Sequence, residues 1–173
     1  DIETPVNETD RTVAVEGLLE SIAECDAVIL SDYDKGTIRE AEAKVIIDAC
    51  RKHGVLCVVD PKHKPSEVYA GSIIKANAAY KGHADVRTHG AAARHVNGVA
   101  LSSKPPVHTV SVVGAGDCFA AALTTALCRG ASLTEAAEIA YSAGRAYVQR
   151  PYNEPVHPLE VAVDMDKIAG KIT

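Results

Sequence analysis

The residues best placed to do chemistry lie in one short stretch, Gly114-Ala115-Gly116-Asp117, after the apolar run 110–113 and before a small-residue segment. Glycines allow a positive φ or a close approach to a ligand. The first turn of a helix points unpaired N–H groups outward, and its dipole favours negative charge. Such a turn can cradle a phosphate. A carboxylate at a pure anion site would repel the anion. Asp117 makes chemical sense there as a base that takes a proton from a hydroxyl attacking phosphorus. The alternative is an acidic first turn that only stabilises its helix, and short glycine motifs do not decide between the two.

A second set of polar residues follows the apolar runs of the N-terminal half: Asp32, Asp34, Lys35, Asp60, Lys62 and Asn77. The elements that would position them read as follows. Val13, Leu18, Leu19 and Ile22 recur at near-helical spacing over 12–25. Residues 27–31 form a short apolar run of the buried parallel type, with a loop at 32–36. Thr37 and Glu40 fit a capping box opening a helix to about His53, stopped by Gly54. Strands are predicted over 55–59, 73–75, 84–88 and 96–101. Pro105-Pro106 marks a connector, and 109–113 leads into the glycine stretch. A helix over 117–128 closes at Gly130. Ser132 and Glu135 form a second capping box for a helix to about Gln149. A last amphipathic helix spans 158–169. Residues 1–11 carry no strong pattern and are assigned to the remnant of a preceding strand. Strand and helix alternate, the grammar of a parallel α/β sheet. Ligands in such sheets gather beyond the carboxyl ends of the strands, where this polar set falls.

Composition sets outer bounds. The chain has 173 residues, 47% hydrophobic and 24% charged, enough for one domain with a real core. The formal net charge is −5 with no Lys/Arg run, which argues against nucleic acid as a partner. No apolar stretch is long enough for a membrane span, no signal peptide is visible, and the expected location is cytoplasmic. Cys25, Cys50, Cys57, Cys118 and Cys128 are scattered in apolar contexts, as reduced core thiols are. The seven histidines form no zinc-type spacing, so no metal ligand set is expected among them. The chain begins at Asp1 and its only Met is Met165, which reads as a fragment.

The ordered motifs resemble those of the ribokinase-like, phosphofructokinase-B type carbohydrate kinases. Gly114-Ala115-Gly116-Asp117 carries the family signature. Within the family, Ser31-Asp32-Tyr33-Asp34-Lys35-Gly36, Val59-Asp60-Pro61-Lys62 and Asn77 are similar to the D-glycero-D-manno-heptose 7-phosphate kinases, often half of a bifunctional ADP-heptose synthase. The resemblance implies one doubly wound parallel α/β domain over 1–173, truncated at the N-terminus and without the lid. It implies ATP and Mg²⁺ as cofactors, transfer of the γ-phosphate to a sugar phosphate, and a possible homodimer. By the same resemblance, Gly114, Ala115 and Gly116 are the anion hole and Asp117 the catalytic base. Asn77, Thr88 and Gly90 border the nucleotide. Asp32, Lys35, Asp60 and Lys62 are the weaker candidates for substrate or phosphate. Tyr80 stands where the family has the Glu of Asn-x-x-Glu, which weakens the metal site. Ser111 and Val113 depart from the residues of a monovalent cation site, and none is expected. Cys118, just after the base, is expected to be a packed, inert thiol. The alternative to a kinase is a non-catalytic nucleotide-binding or scaffold fragment of the same fold.

Overall fold

The computed structural model describes residues 6–90, 94–101, 104–151 and 154–168. They divide into two compact units between Thr88 and His89.

In the first unit Asn7 caps α1 (Glu8–Ser21), its Oδ1 accepting the Asp10 N–H at 2.9 Å. The helix therefore starts four residues before the expected Thr12, and residues 8–11 are helical rather than strand. Glu8 and Asp10 favour that start by charge in the first turn, whereas the apolar spacing begins only at Val13. A 3₁₀ turn (Ile22–Glu24) leads into β1 (Ala27–Asp32). Next come α2 (Glu40–His53), β2 (Leu56–Pro61), a 3₁₀ turn (Ser66–Tyr69), β3 (Ile73–Asn77) and β4 (Val86–Thr88). The four strands pair in that order, all parallel, with Ser31 opposite Asp60 and Asn77 opposite Thr88. Helix α2 presents Ala43, Ile46, Ile47 and Cys50 to the core at helical spacing. They pack with Val28, Leu30, Val59 and Ile74. Gly54 closes α2 at φ +69°, a left-handed cap. The start of α2 is corrected by two residues. Glu42, not Glu40, reaches back to accept the Arg39 N–H at 3.2 Å. Ile38 packs on the core, which draws 37–38 away from the helix.

The second unit opens with β5 (Arg94–Val96) and β6 (Val99–Ala100), an antiparallel hairpin. The single strand expected over 96–101 is thus split by a turn. Asn97 and Gly98 both have positive φ, +49° and +78°, as a two-residue hairpin turn requires. Residues 104–113 are not a strand, and Val110, Val112 and Val113 are exposed. Helix α3 (Ala115–Cys128) starts two residues before the expected Asp117. Helix α4 (Leu133–Val148) has the expected capping box, with Ser132 Oγ accepting from the Glu135 N–H and Glu135 from the Ser132 N–H. Ala120 and Leu123 of α3 are buried, as are Ala136, Ala137, Ala140 and Ala143 of α4, and the small faces let the two helices pack closely. Helix α5 (Pro158–Ile168) is held to α4 by Arg145–Asp164 at 3.0 Å, and to the segment just after α4 by Arg150–Glu160. Ala169, the expected end of that helix, lies outside the described residues. No helix among the described residues is long and apolar enough to cross a membrane.

Candidate functional site

In the first unit the carboxyl ends of the strands collect charge. Asp32, the last residue of β1, is buried. Its carboxylate accepts the Tyr69 hydroxyl at 2.6 Å, the Lys64 ammonium at 3.0 Å and the Asp34 N–H at 2.8 Å. Lys64 also reaches Asp34 Oδ1 at 2.6 Å, and Asp34 holds a left-handed φ of +57°. The hydrogen bond from Lys64 pulls the Asp34 carboxyl below its usual range. Burial disfavours the Lys64 ammonium, but its bonds to Asp34 and Asp32 outweigh that and raise its pKa. Burial, then Asp32, pushes the Tyr69 phenol far up, so it stays a donor. One lysine thus bridges two carboxylates that would otherwise repel.

Asp60, the penultimate residue of β2, accepts the Lys75 ammonium at 2.5 Å. Lys75 is a buried lysine inside β3, and such a cation needs a partner. Asn77 ends β3, its Oδ1 accepting the Ala79 N–H at 2.9 Å in a local turn. Thr88 lies opposite it on β4, its hydroxyl 3.4 Å from the Ala76 carbonyl. Lys35 is exposed. Lys62 is exposed too, its ammonium 5.7 Å from the centre of the Tyr33 ring, apart from both ion-pair groups. Tyr80, which occupies the expected carboxylate position, is buried and donates to the Lys64 carbonyl at 2.9 Å. It anchors the loop that delivers Lys64.

In the second unit Gly90 has φ +60°. Gly114 caps α3 at φ +82°. A Cβ placed there would stand 2.4 Å from the Tyr147 hydroxyl, which itself donates to the Val113 carbonyl at 2.9 Å. Conformation and space both demand glycine, and what approaches it closely is this side chain of α4. The Gly114 carbonyl accepts the Cys118 N–H at 2.9 Å, and the Ala115 N–H turns back to the Val112 carbonyl at 3.1 Å. Asp117 is the third residue of α3 and is exposed. Burial pushes the half-buried Cys118 thiol up, against a nearby Arg150, which keeps it protonated and unreactive. A groove of about 650 Å³ runs between α4 and α5, bordered by His108, Arg145, Gln149, Arg150 and Val163. It includes none of 114–117, and both its arginines are already ion-paired.

The first unit thus gathers Asp32 with Asp34, and Asn77 with Thr88, while Gly114, Ala115, Gly116 and Asp117 form one helix start in the second. Sequence reasoning missed Lys64, Tyr69, Lys75 and Tyr147. Lys75 had a usable signal, a lysine in an otherwise apolar strand. Lys64 and Tyr147 had none, since their partners lie 32 and 34 residues away. Among the described residues no three or more His, Cys, Asp or Glu are grouped to hold a metal.

Residues 88–156 match the model of the pfkB family carbohydrate kinases. The chain is 30% identical over 182 residues to the bifunctional protein HldE of Caulobacter vibrioides, covering 87% of this chain and 38% of that protein. It thus spans about two fifths of the curated relatives it matches. A possible 1-phosphofructokinase from Thermotoga maritima superposes with a TM-score of 0.75 at 16% identity, over 94% of this chain and 62% of that one. Arabidopsis thaliana ribokinase, solved with ribose and ATP, gives 0.66 at 19% identity, over 92% and 59%. Matched region, relatives and fold agree in what the chain is similar to: the ribokinase-like, pfkB-type carbohydrate kinases.

Proposed function

We propose that the chain carries the phosphoryl-transfer part of a sugar-phosphate kinase that moves the γ-phosphate of ATP to a hydroxyl of heptose 7-phosphate. The observation that carries this reading is the exposed Asp117 in the first turn of α3, directly after a glycine forced into the left-handed region. The Asp117 carboxylate takes the proton of the acceptor hydroxyl. That oxygen bonds to the γ-phosphorus as the bond from phosphorus to the β–γ bridging oxygen breaks, and ADP leaves. The N–H groups of the 114–116 turn, with the helix dipole behind them, favour the charge on the transferred group. Ala115 can contribute only by giving up its bond to Val112. Asn77, Thr88 and Gly90 are assigned to the nucleotide. Asp32, Lys35, Asp60 and Lys62 are assigned to the acceptor and its phosphate, with Asp32 and Asp60 acting through the lysines they hold.

Kinases of this family use ATP and usually Mg²⁺. The described donor set does not fit a protein-held ion, because Tyr80 is committed to the fold and no carboxylate cluster replaces it. No step is therefore routed through the metal. The same tyrosine favours a second reading, a chain that binds nucleotide without turnover. Thermal melting with and without ATP, beside a coupled assay for ADP release with heptose 7-phosphate, separates the two. A kinase gives a raised melting temperature and acceptor-dependent ADP. Stabilisation without ADP gives the binding module. No response to nucleotide removes both.

A further inference from the structure

A cation, not a carboxylate, occupies the edge where β3 and β4 end. Arg87 of β4 lies between Val86 and Thr88, and its guanidinium reaches over the loop that follows β3. It donates to the carbonyls of Asn77 at 3.1 Å, Tyr80 at 2.5 Å and Gly82 at 2.6 Å. Its centre is 5.9 Å from the middle of the Tyr80 ring. Three neutral oxygens fix the side chain without cancelling its charge, and among the described residues it pairs with no carboxylate. A full positive charge therefore stands against Asn77 and next in sequence to Thr88.

The carboxylates of this unit that could draw a metal here are spent elsewhere. Asp85 lies at the amino ends of β3 and β4, where it accepts the Ile74 N–H at 2.7 Å. Asp60 holds Lys75. Glu67, exposed on the 3₁₀ turn, belongs to no group of three metal-ligating side chains among the described residues. Mg²⁺ is commonly held through carboxylates beside the phosphates. A fixed guanidinium attracts phosphate oxygens and repels the ion. Given the assignment of Asn77 and Thr88 to the nucleotide, on which this rests, we infer that their edge takes a nucleoside triphosphate as the metal-free anion, with Arg87 supplying the positive charge. Turnover is not required for it.

The test is calorimetric titration of the full chain with ATP, once in EDTA and once in excess Mg²⁺, at matched ionic strength. The wild type should bind more tightly in EDTA, by about tenfold or more. Arg87→Met should remove that preference and weaken binding in EDTA by a similar factor. Arg87→Lys, which keeps the charge and loses the fork, should retain the preference. Lys52→Met, exposed in the last turn of α2, should leave both titrations unchanged. The wild-type comparison needs no variant to fold. Binding as tight with Mg²⁺ or tighter, or a preference that survives Arg87→Met, would overturn the metal-free form and leave the nucleotide site standing. No binding under either condition would remove the site and this reading with it.

Discussion

Gly114→Ala puts a single methyl group where the backbone and a neighbouring side chain both exclude it. The residue sits at φ +82°, and the left-handed region costs an L-residue roughly 1–2 kcal/mol. The new Cβ would stand 2.4 Å from the Tyr147 hydroxyl, closer than real Cβ contacts come. Relief requires the tyrosine to move, which loses its 2.9 Å bond to the Val113 carbonyl, worth about 1 kcal/mol net. The sum is a loss of about 2–3 kcal/mol. Tyr147→Phe separates the parts. It removes the clashing oxygen, after which the next atom, the ring Cζ, stands 3.2 Å away. In the Tyr147→Phe background Gly114→Ala should therefore cost about 1 kcal/mol less than in the wild type, leaving mainly the φ term. Urea unfolding followed by circular dichroism measures all four corners of the cycle. Strict additivity, or a Gly114→Ala loss below about 0.5 kcal/mol, would refute the claim that α4 dictates the glycine.

Two further outcomes concern the first unit. Lys64→Met leaves the buried Asp32 carboxylate without its cation, though still with Tyr69 and the Asp34 N–H. The expected loss is about 2–4 kcal/mol by urea unfolding, and a loss under 1 kcal/mol would contradict the ion-pair geometry. Asp34 has its folded pKa below the ordinary 3.8, so its stabilisation is complete above that value and is lost as pH falls through the folded pKa. Lys64 has its folded pKa above 10.5, so its stabilisation is complete below that value and is lost as pH rises through the folded pKa. Asp34→Asn should therefore flatten the acid limb of the stability curve below about pH 4. An unchanged acid limb would contradict the shift.

The order of elements was legible because each signal was local. Gly54 closes α2 by its own φ, and Ser132 with Glu135 form a box within one turn. Where a boundary depended on tertiary contact, periodicity misled. Arg11 shows this best. It is buried at the first turns of α1 and donates to the carbonyls of Gly36 at 2.9 Å and Val6 at 2.7 Å, so the apolar pattern passes it by. The hairpin was readable from Asn97-Gly98, but the apolar residues on both sides suggested one continuous strand. At the site, strand ends pointed to Asp32, Asp60 and Asn77. Their partners Lys64, Tyr69 and Lys75 follow from how the chain folds back, and no spacing rule carries that. Tyr80 is the instructive substitution. A lost carboxylate is visible in sequence, and the hydroxyl that now pins the Lys64 loop is visible only in the structure.

Transfer of labelled γ-phosphate from ATP to heptose 7-phosphate, by the wild type and by Asp117→Asn, tests the central claim most directly. General-base catalysis contributes about 10²–10⁴-fold, so the variant should lose that factor in rate while ATP still raises its melting temperature. Equal rates in the two proteins, or no label on the acceptor with the wild type, would contradict Asp117 as the base.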